Sequence, residues 1–222
     1  MKRFISTLLI IIGIILIFSP IFNRQIIKHT VTTTQEVVQT VTAEDIEENL
    51  KQTAIYDFSA IKDVGVASTI TGSINFNDKN VIGQLTIPDL NINLPILKGV
   101  TNSNLLAGAS TMVDGIEMGM GNYPLAGHYM KEKGLLFGGL IDIEVGSKVK
   151  ITDKKVIYEY EIYDTQIVPD TSFYMLDNDR AVKRGKPIIS LMTCYYTSKN
   201  GKRFFALGEL VNQYSYETGL IE

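Results

Sequence analysis

From about Gly72 onward, short apolar runs alternate with turn residues, a spacing that leaves room for strands but not for long helices. Residues 81–87 stop at Pro88-Asp89, and residues 92–97 follow with Pro95 inside, which marks an edge strand or a bulge. Residues 148–152 and 156–168 flank Asp153-Lys154-Lys155 as a hairpin, and in the second run Val156, Tyr158, Tyr160 and Ile162 alternate with Ile157, Glu159, Glu161 and Tyr163. Residues 187–196 and 204–211 complete the sheet around a turn containing Asn200-Gly201. Residues 102–107 and 135–141 each read as a single helical turn, and 169–186 as a connection long enough to be a binding lid. This pattern predicts a closed or sandwiched all-β domain.

The N-terminus has a different texture. Lys2 and Arg3 precede residues 4–22, which carry no charge and are interrupted only by Ser6, Thr7, Gly13, Ser19 and Pro20. As a helix this run would be about 28 Å long, close to a bilayer core. Residues 18–22 offer no small-x-small cleavage site, so an uncleaved anchor is expected. Arg24 and Lys28 nearly balance the charge before the span. The mass following it favours an N-terminus inside and a domain outside. Residues 30–42 are rich in Thr, Val and Gln without a clean period, and 43–52 read as a short helix with Asp45, Glu47 and Glu48 before Lys51. The expected division is an anchor at 1–22, an extracellular stalk at 23–71 and a β domain at 72–222, in a single-pass protein of the cell membrane.

Composition removes two classes of function. The formal net charge is −3, and leaving out Lys2 and Arg3 gives 19 basic against 24 acidic residues, the opposite of a nucleic-acid footprint. No nucleic-acid partner is expected. Two histidines and one cysteine are too few for a dedicated zinc site. No metal or cofactor is expected.

The one cysteine, Cys194, ends the apolar run of residues 187–194. Exported domains use cysteines in pairs, so an odd one reads as a reactive thiol, an intermolecular bridge or a small buried residue. A thiol with a pKa near 8.5 needs a base to become a nucleophile at neutral pH. Of the two histidines, His29 lies beside the presumed membrane, whereas His128 ends the strand-like run of residues 122–128. Arg203 opens the run after the cysteine strand and is a candidate to hold charge on a carbonyl oxygen. A tight two-residue loop at Asn200-Gly201 would pair Arg203 with Ser198, about 13 Å along the strand from Cys194. A wider loop over residues 195–202 would set the two opposite each other.

These residues resemble those of the class A sortases, the membrane-anchored transpeptidases of Gram-positive bacteria. Ser190-Leu191-Met192-Thr193-Cys194 is similar to the family's Thr-Leu-x-Thr-Cys, with Ser replacing Thr at the first place. Ala126-Gly127-His128 matches its Ala-Gly-His, and Arg203 matches its arginine near the start of the last strand. The resemblance covers about residues 72–211. It implies an eight-stranded β-barrel with short helices after one N-terminal transmembrane helix. It also implies that Cys194 attacks the Thr-Gly bond of Leu-Pro-x-Thr-Gly signals on surface proteins, forming a thioester. The amine of a peptidoglycan precursor, lipid II, would then resolve it. His128 would serve as acid and then base, Arg203 would orient the carbonyl, and Ala126, Leu191 and Thr193 would border the substrate. The connection at 169–186 would form one wall of the groove. The thiol and imidazole are implied to act through a minor thiolate–imidazolium population.

Some members bind calcium through acids before the histidine. Here residues 112–120 supply only Asp114 and Glu117, with Val113, Ile116 and Met120 at the ligand places, so no calcium requirement is expected. Met192-Thr193 before the cysteine does not fit the His-Gly of the cysteine L,D-transpeptidases. A pilin-polymerising sortase would bring a lid before the barrel and a second span near the end, and the stop at Glu222 favours housekeeping anchoring. The alternative is a non-catalytic anchored barrel that binds a wall ligand around a buried cysteine.

Overall fold

The computed structural model describes residues 2–221, so the expected domain limits at Met1 and Glu222 lie outside the described residues. Eight strands close into a barrel in the order β1-β2-β3-β4-β7-β8-β6-β5: β1 (Val81–Ile87), β2 (Ile92–Leu97), β3 (Ala109–Thr111), β4 (Asn122–Ala126), β5 (Lys148–Thr152), β6 (Val156–Pro169), β7 (Ile188–Cys194) and β8 (Lys202–Ser215). β2–β3 and β4–β7 run parallel, and the other neighbours are antiparallel. The expected closed β domain is therefore present as an eight-stranded barrel with short helices.

Local chemistry explains several joints. Pro88 opens a 3-10 turn after β1, and Asn91 closes it in the left-handed region at φ 51°. Pro95 lies inside β2 one residue before pairing to β3 begins at Ile96, so its missing N–H falls where only β1 is a neighbour. Asp153 caps the β5–β6 hairpin by accepting from the N–H groups of Lys155 and Val156, both at 2.9 Å. Residues 102–107 form α4 (Asn102–Ala107), whose Asn104 N–H donates to the capping Thr101 hydroxyl. Residues 135–141, expected to be a helical turn, form successive turns ending in a 3-10 turn at Leu140–Asp142.

From Ile27 onward the segment before the barrel packs against it, whereas the apolar residues at 4–22 are largely exposed. α1 (Lys2–Thr40) is bent by 45° between Phe4–Ser19 and Ile21–Thr40, at Pro20, which has no N–H for the helical ladder. Among the described residues no single helix is long and apolar enough to cross a membrane, and these two segments meet that test only together. Ile27, Val31, Thr34 and Val38 recur at helical spacing and are buried. The Thr34 hydroxyl donates to the Ala107 carbonyl at 3.0 Å, and the Gln35 amide donates to the Asn93 carbonyl at 2.6 Å. The Thr and Val content that hid any period in residues 30–42 is thus overridden by burial against the barrel. Asn49 of the following helix, α2 (Ala43–Leu50), donates to the Val81 carbonyl at 2.8 Å. α3 (Val66–Ile74) packs between α1 and α4.

Candidate active site

β7 is buried along its whole length because it lies between β4 and β8, which accounts for its near-continuous apolar run. Its two buried hydroxyls are satisfied. Ser190 donates to Asn122 Oδ1 at 2.8 Å, and Thr193 donates to the Gly127 carbonyl at 2.8 Å. Met192 and Cys194 point to one side of the strand, into a cluster with Ala126, Met112, Val168 and Phe205. Leu191 points to the other side, fully buried in the barrel core. Leu191 therefore backs the strand on the face opposite the thiol, and Thr193 is engaged with the backbone beside His128. Of the three residues expected to border a substrate, only Ala126 shares the cluster of Cys194.

Cys194 sits at the C-terminal end of β7 and His128 two residues past the end of β4, its parallel neighbour. Parallel pairing brings both strand ends to the same rim of the barrel. The Gly127 N–H donates to the Met192 carbonyl at 3.0 Å, carrying the ladder one residue beyond β4. A Cβ on Gly127 would lie 2.5 Å from the Phe137 ring, so only glycine allows this approach. Phe137 in turn donates its N–H to the His128 carbonyl at 3.1 Å.

The loop after Cys194 takes the wider of the two expected forms. Residues 198–200 form a 3-10 turn capped by Gly201 at φ 66°, and the Asn200 amide donates to the Tyr195 carbonyl at 2.7 Å. Arg203 consequently pairs directly with Cys194 across β7 and β8. Its guanidinium donates to the carbonyls of Lys202 at 3.1 Å and Ile61 at 3.3 Å, and lies 3.7 Å from Asp170.

Burial sets the charge states. His128 is 3% exposed, its Nε2 has no hydrogen-bond partner, and burial lowers its pKa to about 4 against an opposing pull from Asp63. Cys194 is equally buried, and burial raises the thiol pKa against the favourable charge of Arg203, with Asp63 and Asp170 pushing it further up. Both groups are therefore neutral at rest near pH 7.

Beside Arg203 lies a cleft of about 280 Å³, bordered by Met112, Met192 and Phe205 from the barrel and by Pro169, Phe173 and Leu176 from the long connection. That connection holds a 3-10 turn (Phe173–Leu176) and α5 (Asp179–Arg184). It is anchored by the Asn122 amide, which donates to the carbonyls of Met175 and Asp177 at 3.1 and 3.2 Å. The expected groove wall is thus a tethered element.

Sequence reasoning missed the segment that crosses this site. Phe58 and Ile61 line the cleft, Phe58 meets Phe173 edge-on at 5.8 Å, and Ala60 and Ile61 join the cluster of Cys194. Asp63 accepts from the Thr197 hydroxyl and the Ser198 N–H, both at 2.6 Å. Tyr56, Phe58 and Ile61, aromatic and aliphatic residues inside the expected stalk, are the burial signal in the sequence.

No group of three or more His, Cys, Asp or Glu among the described residues is placed to hold a metal ion. Asp114 is occupied with the Tyr56 hydroxyl at 3.1 Å and Lys98 at 3.7 Å.

A model of the sortase domain matches residues 85–211, from β1 into β8. The chain is 36% identical over 210 residues to Sortase A of Listeria monocytogenes, covering 95% of this chain and 91% of the relative. It is 34% identical over 208 residues to Sortase A of Bacillus anthracis, covering 93% of each. Among solved structures, it is similar to Listeria monocytogenes sortase A (TM-score 0.59, 37% identity, 64% of this chain and 94% of that one). It is also similar to sortase C-3 of Streptococcus pneumoniae (TM-score 0.60, 25% identity, 84% of this chain and 92% of that one). A family model spanning more than half of the chain, together with relatives matched over nearly their whole length, shows that this chain belongs to the sortase family, the cysteine transpeptidases.

Proposed function

We propose that this sortase cleaves the Thr-Gly bond of Leu-Pro-x-Thr-Gly signals and transfers the surface protein to the amine of a peptidoglycan precursor such as lipid II. The observation that carries this reading is the direct pairing of Cys194 with Arg203, beside the strand that leads to His128. In the first step the Cys194 thiolate adds to the threonine carbonyl carbon, the C–N bond breaks, and His128 donates a proton to the departing amine. In the second, His128 takes a proton from the incoming amine, which attacks the thioester carbon and expels the thiolate. Arg203 exchanges its bond to the Ile61 carbonyl for one to the substrate carbonyl, where its charge acts on developing negative charge. Because both groups rest neutral, the reactive thiolate–imidazolium pair is a minority that substrate selects.

The apolar cleft beside Arg203 suits the leucine and proline of the signal. Ala126 keeps the wall beside the thiol short, while Thr193 and Leu191 hold β7 in place from behind. This chemistry calls on no metal or cofactor. The exposed apolar residues of the first half of α1, including Phe4, Leu9, Ile17 and Phe22, support residues 1–22 as a bilayer anchor with the barrel on the extracellular face. Residues 23–71 then join anchor to a catalytic domain at 72–222, as a docked strut.

Mass spectrometry of the folded protein mixed with a Leu-Pro-x-Thr-Gly peptide and triglycine tests the reading. A thioester adduct on Cys194, the released C-terminal fragment and the triglycine conjugate are expected together. Peptide cleavage without an adduct on Cys194 would overturn the covalent route.

A further inference from the structure

One ring contact joins the loop after the cysteine to the loop after the histidine, and a second packs within the cysteine loop. Tyr196 meets Tyr129 edge-on, with centroids 5.6 Å apart and planes at 78°, and meets Tyr195 at 4.6 Å. Tyr196 does this from φ 63°, a left-handed conformation that costs a bulky residue backbone energy. It is also 56% exposed, so burial of its own surface does not account for the conformation. What the conformation achieves is the ring contact.

Position gives that contact meaning. Thr193, one residue before the cysteine, already binds Gly127, one residue before the histidine, on the inner side. Tyr196, two residues after the cysteine, meets Tyr129, one residue after the histidine, on the outer side. The thiol and imidazole are thus bracketed by a buried hydrogen bond and a ring contact. Every other tie on the outer loop runs elsewhere: Tyr195 and Asn200 close the loop on itself, and Thr197 and Ser198 bind Asp63.

We propose that Tyr196 is a positioning residue, whose ring clamps the loop of Cys194 onto the loop of His128 and closes the outer side of the pair to water. The inference rests on the reading of Cys194 and His128 as the reacting pair. Removing the ring lets water reach both groups. The His128 pKa then rises from about 4 toward its ordinary 6.5, and the Cys194 pKa falls. The other charged groups facing the pair are Asp63 from the crossing segment, Asp170 from the long connection and Arg203 from β8. A change at position 196 leaves these three side chains in place, whereas Tyr129 loses its ring neighbour.

The test compares Tyr196→Gly, Tyr196→Phe and Tyr129→Leu in the full chain. Glycine adopts φ 63° freely, so Tyr196→Gly removes the ring while relieving the strain, and its melting temperature should stay near wild type. Iodoacetamide should label its Cys194 roughly tenfold faster near pH 7, since labelling follows the thiolate. The NMR titration midpoint of His128 should move up toward 6.5. Turnover should fall on the order of tenfold in kcat with KM little changed, as loss of alignment rather than of binding. Tyr129→Leu should do the same, and Tyr196→Phe should match wild type. A Tyr196→Gly protein with unchanged labelling and unchanged His128 titration would overturn the clamp, as would a Tyr196→Phe protein that behaves like Tyr196→Gly. The labelling and titration readouts need no turnover, so a failure of the transpeptidase reading, seen as activity surviving Cys194→Ala, is told apart from a failure of the clamp.

Discussion

The three strands that present Cys194, His128 and Arg203 and the segment that crosses over them are held by different means. β7 pairs with β8 at seven consecutive positions and with β4 at five, so the rim residues inherit their places from backbone ladders. The crossing segment has one isolated bridge, Tyr56 to Val100, and otherwise depends on side-chain ties such as Asp63 to Thr197 and Ser198. A ladder cannot be shifted without breaking many bonds at once, whereas a few exposed caps exchange readily with water. Substitutions on the strands should therefore act on chemistry, and substitutions on the segment should act on access.

Cys194→Ala is the most severe test of the first half of that contrast. It deletes the proposed nucleophile while leaving the ladder intact, so peptide turnover should drop by more than about a thousandfold with little change in melting temperature. Activity above that level would show that the rim geometry serves something else.

His128→Ala should cost at least about a hundredfold in kcat, the usual scale of acid–base catalysis. The same residue gives a pH test of how tightly the rim is closed. Its folded pKa of about 4 lies below the ordinary 6.5, so the neutral buried form contributes stability that is present above 6.5 and lost as the pH falls toward 4. The loss amounts to about 3 kcal/mol across that window. Urea unfolding at pH 7, 5.5 and 4 should show a shallower decline for His128→Gln than for wild type. Equal declines would mean that water already reaches the imidazole.

Arg203→Lys keeps the charge and loses the planar fork, and turnover should fall by about ten- to a thousandfold in steady-state assays with the fold intact. A near-wild-type rate would return Arg203 to the role of a strand-end residue tied to Lys202 and Ile61.

The smallest effect is expected from the crossing segment. Asp63→Ala removes two short hydrogen bonds to the loop after Cys194, each worth about 1 kcal/mol net, and leaves every ladder in place. Thiol labelling should quicken by a few fold, with kcat nearly unchanged and KM lowered. A loss of kcat comparable to that of Arg203→Lys would erase the distinction between the two regions.

Much of the barrel was legible because its punctuation is local. Pro88-Asp89 ends β1, Asp153-Lys154-Lys155 turns the hairpin, and Thr101 caps α4, each through bonds within a few residues. Strand parity also carried information that the motif obscured. Leu191 lies three residues before Cys194, and period-two alternation alone puts it on the opposite face, as found.

The sequence by itself determined that a single thiol would end a buried strand, that one histidine would end a strand-like run with small residues beside its ring, and that short strands rather than helices would build the domain. The tertiary structure decided which of two registers set Arg203 against Cys194, because that choice depends on how eight loop residues fold against Asp63 and Asp170. It also decided that residues 27–38 dock on the barrel and that residues 56–63 cross the candidate site. Those placements rest on contacts between residues tens to more than a hundred positions apart. Local propensity and hydrophobic period report only on neighbours along the chain, so such contacts leave no more than a trace in the sequence.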